Sequence, residues 1–190
     1  MSNIDKDKTL PQIHQREIVA ESRFFRVERV DLEFTNGATR QFERMAGYNR
    51  GAVMIVAVQD GDFLLVREYA AGTHTYELGF PKGLIDQGES ILEAANRELK
   101  EEAGFGAREL EVIHKVNMAP TFFNAQMNIV IAHDLYPETL PGDEPEPLEL
   151  VRWPIDQTDE LLAREDFIEA RCIAALFLAQ KWLKEHPDYA

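Results

Sequence analysis

The segment 83–105 constrains this chain more than any other, because it joins a glycine-containing loop to a helical pattern with acidic residues on one side. Apolar residues recur there at helical spacing, namely Ile91, Leu92, Ala95 and Leu99. Gly104 follows the pattern as a stop signal. At about 100° per residue, Glu98, Glu101 and Glu102 fall on one narrow stripe of the predicted helix.

The three glutamates of this stripe repel one another. Like charges at such spacings destabilise a helix by roughly a few tenths of a kcal/mol per pair, and the helix dipole disfavours anions near the C-terminus. Two explanations stay open from the pattern alone: a solvated acidic face, or a divalent cation that neutralises the cluster. Because the stripe holds carboxylates without His or Cys, such a cation would be Mg²⁺ or Mn²⁺ rather than Zn²⁺.

The arginine within the helix and the loop before it support the second explanation. Arg97 stands between carboxylates at four-residue spacing, where a guanidinium can hold them in a fixed orientation. Pro81-Lys82-Gly83 precedes the helix, and Gly88 lies just before it. Such a loop lets the backbone approach an anion or offer a carbonyl oxygen to a metal ion.

Outside this segment, hairpin signals alternate with helical patterns, which predicts an α+β fold rather than a doubly wound parallel sheet. Asn36-Gly37 and Asp60-Gly61 are two-residue turn signals between strand-like stretches. The predicted strands are 25–34, 38–45, 52–58, 63–66, 109–116 and 127–132, and the predicted helices are 89–103, 158–162 and 168–184. The proline-rich stretch 136–149 is predicted to be a surface loop, and the first fifteen residues are expected to be partly disordered.

Charge and cysteine content limit the partners and the compartment. The formal net charge of −14 over 190 residues should repel nucleic acid and anionic membranes. The sequence contains no apolar run near the roughly 20 residues that a membrane span needs. The single cysteine, Cys172, cannot form an internal disulfide, and its apolar helical neighbours favour packing over a nucleophilic role. These features predict a cytoplasmic protein that binds neither nucleic acid nor membrane.

The segment 83–105 resembles the Nudix box along its whole length. All nine specified positions of that motif are filled, by Gly83, Glu89, Arg97, Glu98, Leu99, Glu101, Glu102, Gly104 and Phe105. Similarity to the Nudix hydrolases implies an α/β/α sandwich around a mixed β-sheet, with the box as a loop–helix–loop. It also implies two regions: residues 1–48, an extension with a β-hairpin, and residues 49–190, the Nudix domain.

The resemblance assigns roles to residues of the box. It implies metal binding by the carboxylates of Glu98, Glu102 and Glu101 and by the backbone carbonyl oxygen of Lys82. Arg97 and Glu89 would orient these ligands. Glu101 and Arg97 are also candidate catalytic residues, and Gly83 is a candidate substrate contact.

Four further stretches resemble the ADP-sugar branch of the family, which includes ADP-ribose pyrophosphatases: 66–69, 76–80, 118–120 and 143–147. This similarity implies metal-dependent cleavage of the diphosphate linkage in ADP-ribose, NADH or diadenosine polyphosphates, with release of AMP. It also implies a homodimer built by the N-terminal extension. Phe122 and Phe123 stand where dinucleoside polyphosphate hydrolases carry a tyrosine, which favours ADP-ribose-like substrates without excluding the others.

Residues outside the box carry roles that the sequence leaves open. In related ADP-ribose enzymes an acidic loop supplies the catalytic base; here it offers Glu144 and Glu146, either of which could instead be merely solvated. Arg67 could clamp a phosphate or pair with a surface carboxylate. Glu77 could reach the metal or make a structural hydrogen bond, and Phe25 could face adenine or pack in a core or dimer interface.

A non-catalytic Nudix sensor of an ADP-containing ligand is the alternative function. Such modules usually lose carboxylates of the box, whereas Glu98, Glu101 and Glu102 all remain. An acidic protein-interaction domain is a third reading, but it would leave the placement of Arg97 unexplained.

Overall fold

A computed structural model describes residues 8–46 and 50–189 of the chain. The chain divides into two compact units, one formed by Met1–Asn49 with Asn117–Ala125 and the other by Arg50–Val116 with Gln126–Ala190. The boundary predicted between residues 48 and 49, and the disorder expected over residues 1–7, lie outside the described residues.

The first unit holds a small antiparallel sheet. Its strands, in spatial order, are β1 (Gln12–Glu21), β2 (Arg26–Glu33) and β3 (Thr39–Ala46). The hairpin predicted around Asn36-Gly37 is confirmed by β2 and β3. Of the first fifteen residues, which were expected to be partly disordered, those from Gln12 onward belong to β1. The sequence did not indicate β1 because every residue of this strand is exposed, so no buried face imposes apolar alternation.

The second unit is built on a mixed sheet of seven strands within the described residues. They are β4 (Ala52–Gln59), β5 (Asp62–Ala70), β6 (Thr75–Gly79), β7 (Lys82–Leu84), β8 (Phe105–Asn117), β9 (Gln126–Pro137) and β10 (Glu149–Pro154). The main path is β10-β5-β4-β9-β8, with β6 paired to β5 and β7 paired to β4. β4 and β9 run parallel, whereas β4 is antiparallel to β5 and β7.

Helices cover both faces of this sheet. They are α1 (Ile91–Glu102), α2 (Thr158–Leu162) and α3 (Ala170–Glu185), with a short 3-10 helix at Pro187–Tyr189. Three alternate residues of β4 pack in one buried cluster with Ala95 and Leu99 of α1: Val53, Ile55 and Ala57. The intervening residues of β4 point to the opposite face, and α3 packs against the same strand. The predicted α+β class and the implied α/β/α sandwich are therefore confirmed.

Three strands of the second unit were absent from the sequence prediction, namely β6, β7 and β10. The most consequential is β7, since the segment predicted as part of a loop is a three-residue strand in which Gly83 pairs with Val53. The loop predicted over 136–149 is confirmed between the end of β9 at Pro137 and the start of β10 at Glu149. Among the described helices, none combines the length and the apolar character that crossing a bilayer requires.

Candidate functional site

The start of α1 is fixed by a capping box. Ser90 Oγ accepts a hydrogen bond from the Glu93 backbone N–H (3.3 Å), and the Glu93 carboxylate accepts one from the Ser90 N–H (2.8 Å). The helix ends at Glu102 with Ala103 as its C-cap residue, and Gly104 follows at a φ of 74°. This geometry places the acidic stripe in the last turns of the helix, and it gives Glu93 a capping role rather than a contact with Arg97.

Arg97 binds carboxylates on both sides of its guanidinium. Its Nε and Nη2 donate to the two oxygens of Glu89 (2.8 and 3.0 Å), and Nη1 donates to Glu98 Oε1 (2.7 Å) and Glu101 Oε2 (2.9 Å). Nη2 also donates to the backbone carbonyl of Leu84 (2.9 Å). Hydrogen bonding to Glu89 is the largest cause that raises the pKa of Arg97. The arginine thus remains a cation that joins β7, the following loop and α1.

The backbone of β7 lies directly against two carboxylates of the stripe. The Lys82 N–H donates to Glu102 Oε2 at 3.0 Å. A Cβ added at Gly83 would lie 2.0 Å from Glu98 Oε1, so only glycine leaves room for this carboxylate. Burial raises the pKa of Glu98, and burial raises the pKa of Glu102 to about 8.

The chemistry of this donor set fits a hard divalent cation. Glu98 and Glu102 are acids whose charged forms are disfavoured by burial, and a bound cation would offset that penalty. In the described part of the chain, no three His, Cys, Asp or Glu side chains already surround a common metal position. One oxygen each of Glu98 and Glu101 is held by Arg97. The second oxygen of each carboxylate is the one that would bind a cation.

A proline-rich segment, residues 138–148, runs from β9 to β10 and is called the acidic loop below. The loop and the α1 carboxylates line a cavity of about 260 Å³. A second cavity of about 500 Å³ is lined by the same carboxylates, by β7 and by the start of the loop. Glu144 lines both cavities, and burial is the largest cause that raises its pKa. Glu146 lines the first cavity and accepts a hydrogen bond from the Tyr76 hydroxyl.

Arg67 and Glu77 are engaged by groups of the protein itself. Arg67 forms ion pairs with Glu149 (2.9 Å) and Asp166 (2.5 Å), which is the carboxylate pairing that the sequence left as one alternative. Glu77 accepts a hydrogen bond from Thr73 Oγ1 at 2.6 Å.

Phe25 belongs to the first unit, between β1 and β2. Its side chain is half exposed, and its backbone N–H donates to Ser22 Oγ at 3.0 Å. Cys172 of the second unit is 1% exposed, and burial raises the pKa of its thiol to about 12.

Two contacts near the cavities were not found from the sequence. Lys82 Nζ is paired with Glu68 of β5, and Tyr76 of β6 donates to Glu146. Burial opposes the charge of Lys82, but Glu68 and then Glu102 outweigh it and raise the lysine pKa. The only signal in the sequence was that Glu68 and Tyr76 fall in the family-like stretches 66–69 and 76–80.

Two family descriptions match successive parts of the chain. Residues 11–44 match the NudE-type Nudix hydrolase N-terminal domain, and residues 48–176 match the NUDIX domain. The second match contains α1, β7 and the acidic loop.

Curated relatives and a solved structure resemble nearly the whole chain. The ADP compounds hydrolase NudE of Escherichia coli is 59% identical over 95% of this chain and 97% of its own length. The mouse ADP-sugar pyrophosphatase is 28% identical over 83% of this chain and 78% of its own. The Bacillus subtilis ADP-ribose pyrophosphatase is 27% identical, over 82% and 83% respectively. A crystal structure of an ADP compounds hydrolase superposes with a TM-score of 0.91 at 58% identity, over 96% of this chain and 98% of the other.

Proposed function

Because this chain belongs to the NudE-type Nudix hydrolases, we propose that it cleaves the diphosphate linkage of ADP-containing compounds with a divalent cation and releases AMP. The observation that carries this proposal is the set of α1 carboxylates held by Arg97 and by the backbone of β7 at the wall of two cavities. The names of the relatives support an ADP-containing substrate, since they specify ADP compounds, ADP-sugars and ADP-ribose.

Four residues would hold the cation: Glu98, Glu101, Glu102 and Lys82 through its carbonyl oxygen. Family members generally use divalent metal ions, and a ligand set made only of oxygens suits Mg²⁺ or Mn²⁺. When bound, such a cation neutralises diphosphate oxygens and lowers the pKa of a water molecule. The two hydrogen bonds from Arg97 to Glu98 and Glu101 use one oxygen of each carboxylate, so the guanidinium can keep both side chains oriented while the second oxygens bind the cation.

The remaining roles fall to the acidic loop and to the predicted substrate contacts. Glu144 or Glu146 would accept a proton from the attacking water, because both line the cavity that the α1 carboxylates line. Glu101, also at this cavity, is a further candidate for this proton transfer. Arg67 would clamp a phosphate only after exchanging its carboxylate partners. Phe25 would supply a face for adenine.

We also propose that the protein is a cytoplasmic homodimer in which the first unit supplies the interface. Large apolar side chains on its sheet support this assembly because they are exposed in the single chain: Ile13, Ile18, Val19 and Phe42. Light scattering on Phe42→Asp beside the unmodified protein tests the interface. A monomeric variant is expected, and an unchanged dimer would place the contact elsewhere.

The decisive experiment measures AMP release from ADP-ribose, NADH and diadenosine triphosphate, with Mg²⁺ and with a chelator. The unmodified protein is compared with Glu102→Gln and with Glu109→Gln, which alters an exposed glutamate of β8 as a control. AMP is expected only with the metal, from the unmodified protein and from Glu109→Gln. Tight binding of ADP-ribose by folded protein without any turnover would instead establish the sensor.

A further inference from the structure

The acidic loop is fastened at both of its ends. At the start, the Glu138 N–H donates to the Gly104 carbonyl (3.1 Å) and the Leu140 N–H donates to the Lys100 carbonyl (3.2 Å). At the far end, Glu149 begins β10 and pairs in register with Arg67 of β5. Between these points the loop crosses the cavity that the α1 carboxylates line.

One side-chain contact holds the middle of this crossing. The Tyr76 hydroxyl donates to Glu146 Oε1 across 70 positions of sequence. The tyrosine side chain lies on β6 and is 52% exposed, so burial of its ring does not explain its placement. The hydroxyl therefore connects the middle of the loop to the hairpin β5–β6.

The part of the acidic loop around Glu146 is stiff, so its contact with Tyr76 can also restrict Glu144, two residues earlier. The sequence of this part is Glu144-Pro145-Glu146-Pro147. Each proline has a fixed φ, and each residue before a proline is restricted to extended conformations. A hold on Glu146 consequently limits where Glu144 can point. Glu144 lines both cavities beside the α1 carboxylates, as the shorter Asp143 does, whereas Glu146 lines one.

We infer that Tyr76 is a positioning residue that anchors the acidic loop through Glu146, so that Glu144 is the proton acceptor for the hydrolysis. This inference rests on the proposed function. In the step, the water oxygen bonds to phosphorus while its proton passes to the Glu144 carboxylate. The bridging P–O bond breaks, and its electron pair leaves on the bridging oxygen.

Substitution by glutamine distinguishes the roles inferred for Glu144 and Glu146. A glutamine at 146 keeps an oxygen that accepts from Tyr76 but cannot take a proton at neutral pH, whereas alanine removes the acceptor. Glu146→Gln should therefore rescue most of the kcat that Glu146→Ala loses. Glu144→Gln should lose about 10²-fold or more in kcat, as expected for removal of a general base.

The experiment measures kcat and KM with ADP-ribose for these variants, for Tyr76→Phe and for the double variant Tyr76→Phe/Glu146→Ala. Loss of one charge-assisted hydrogen bond should lower kcat about five- to tenfold in Tyr76→Phe and leave KM nearly unchanged. The double variant should lose no more than either single one, because both remove the same contact. Tyr69→Phe is the matched control, since its hydroxyl contacts His74 on the same hairpin at 2.8 Å.

Hydrogen exchange of the ligand-free protein gives a readout that does not depend on turnover. Tyr76→Phe should speed amide exchange in residues 143–148, and Tyr69→Phe should not. An active enzyme in which Tyr76→Phe matches the unmodified protein in both kcat and exchange would overturn the anchor. Equal loss in Glu146→Gln and Glu144→Gln would overturn the assignment of the proton acceptor. If no ADP compound is cleaved at all, the proposed function is wrong, and only the exchange result then tests whether Tyr76 anchors the acidic loop.

Discussion

The backbone of Gly83 lies so close to the Glu98 carboxylate that a larger residue does not fit at this position. A Cβ at Gly83 would stand 2.0 Å from Oε1 and 2.1 Å from Cδ of Glu98. The carboxylate has little freedom to withdraw, because it is buried and its Oε1 accepts a hydrogen bond from Arg97. The absence of a side chain at Gly83 therefore determines the position of Glu98, one of the proposed metal ligands.

Replacing Gly83 with alanine should displace the Glu98 carboxylate and cost about 10²-fold in kcat, the loss typical of misplacing a reacting group by roughly 1 Å. Steady-state assays at saturating Mg²⁺ measure this. Gly72→Ala is the control, because a Cβ there would meet nothing within 4 Å. Activity of Gly83→Ala equal to that of Gly72→Ala would contradict the placement of Glu98.

Arg97→Lys keeps the positive charge and removes the planar fork that contacts Glu89, Glu98 and Glu101. We expect the Mg²⁺ concentration for half-maximal activity to rise about 10–100-fold, as for other residues that orient metal ligands. Arg108→Lys, which alters an exposed pair with Asp134, controls for the loss of a surface guanidinium. A metal titration of Arg97→Lys identical to that of Arg108→Lys would show that charge alone is sufficient.

The pKa of Glu102 predicts how the metal-free protein responds to pH. Burial raises this pKa from 4.5 to about 8 in the folded chain. The protonated form is thus favoured by folding below pH 4.5, and this contribution is lost as pH rises toward 8, on the order of a few kcal/mol in total. Urea unfolding with a chelator should show stability falling between pH 5 and 8 more steeply for the unmodified protein than for Glu102→Gln. Parallel pH profiles for the two proteins would contradict the assignment.

Cys172 should be inert toward thiol reagents in the folded protein. Its side chain is 1% exposed, and burial raises its pKa to about 12, so almost no thiolate is present at neutral pH. Absorbance with an aromatic disulfide reagent should rise only after denaturant is added. Rapid stoichiometric reaction of protein that retains its native circular dichroism would show that the site opens.

Local features of the site were predictable because their determinants are close in sequence. The helix predicted over 89–103 is observed at Ile91–Glu102, since the Ser90 cap and the Gly104 stop act within one turn of its ends. The buried strand β4 was predicted from its continuous apolar run. The box carboxylates share one face of the helix for the same reason, namely the fixed helical period.

The features that the sequence did not predict depend on contacts between residues far apart in the chain or lack a buried face. β7 has three residues, too few to show a period, and it is a strand only because β4 pairs with it. The contact between Tyr76 and Glu146, and the pair formed by Lys82 and Glu68, require the sheet to be complete before they can form. The fully exposed β1 lacked any buried face from which its register or existence could be inferred.

Because β4 pairs with β9, which lies far along the chain, the central sheet can be completed only late in synthesis. In the register of this pair Ala52 meets Met127, and the intervening chain contains β5 to β8 and α1. The carboxylate-bearing helix therefore leaves the ribosome well before β9, while Glu144 follows β9. Pairing over such a separation is intrinsically slow, and until it occurs one edge of β4 is open to wrong partners. A nascent chain of this protein thus contains its acidic helix early, but it gains hydrolytic capacity only after β9 has paired with β4.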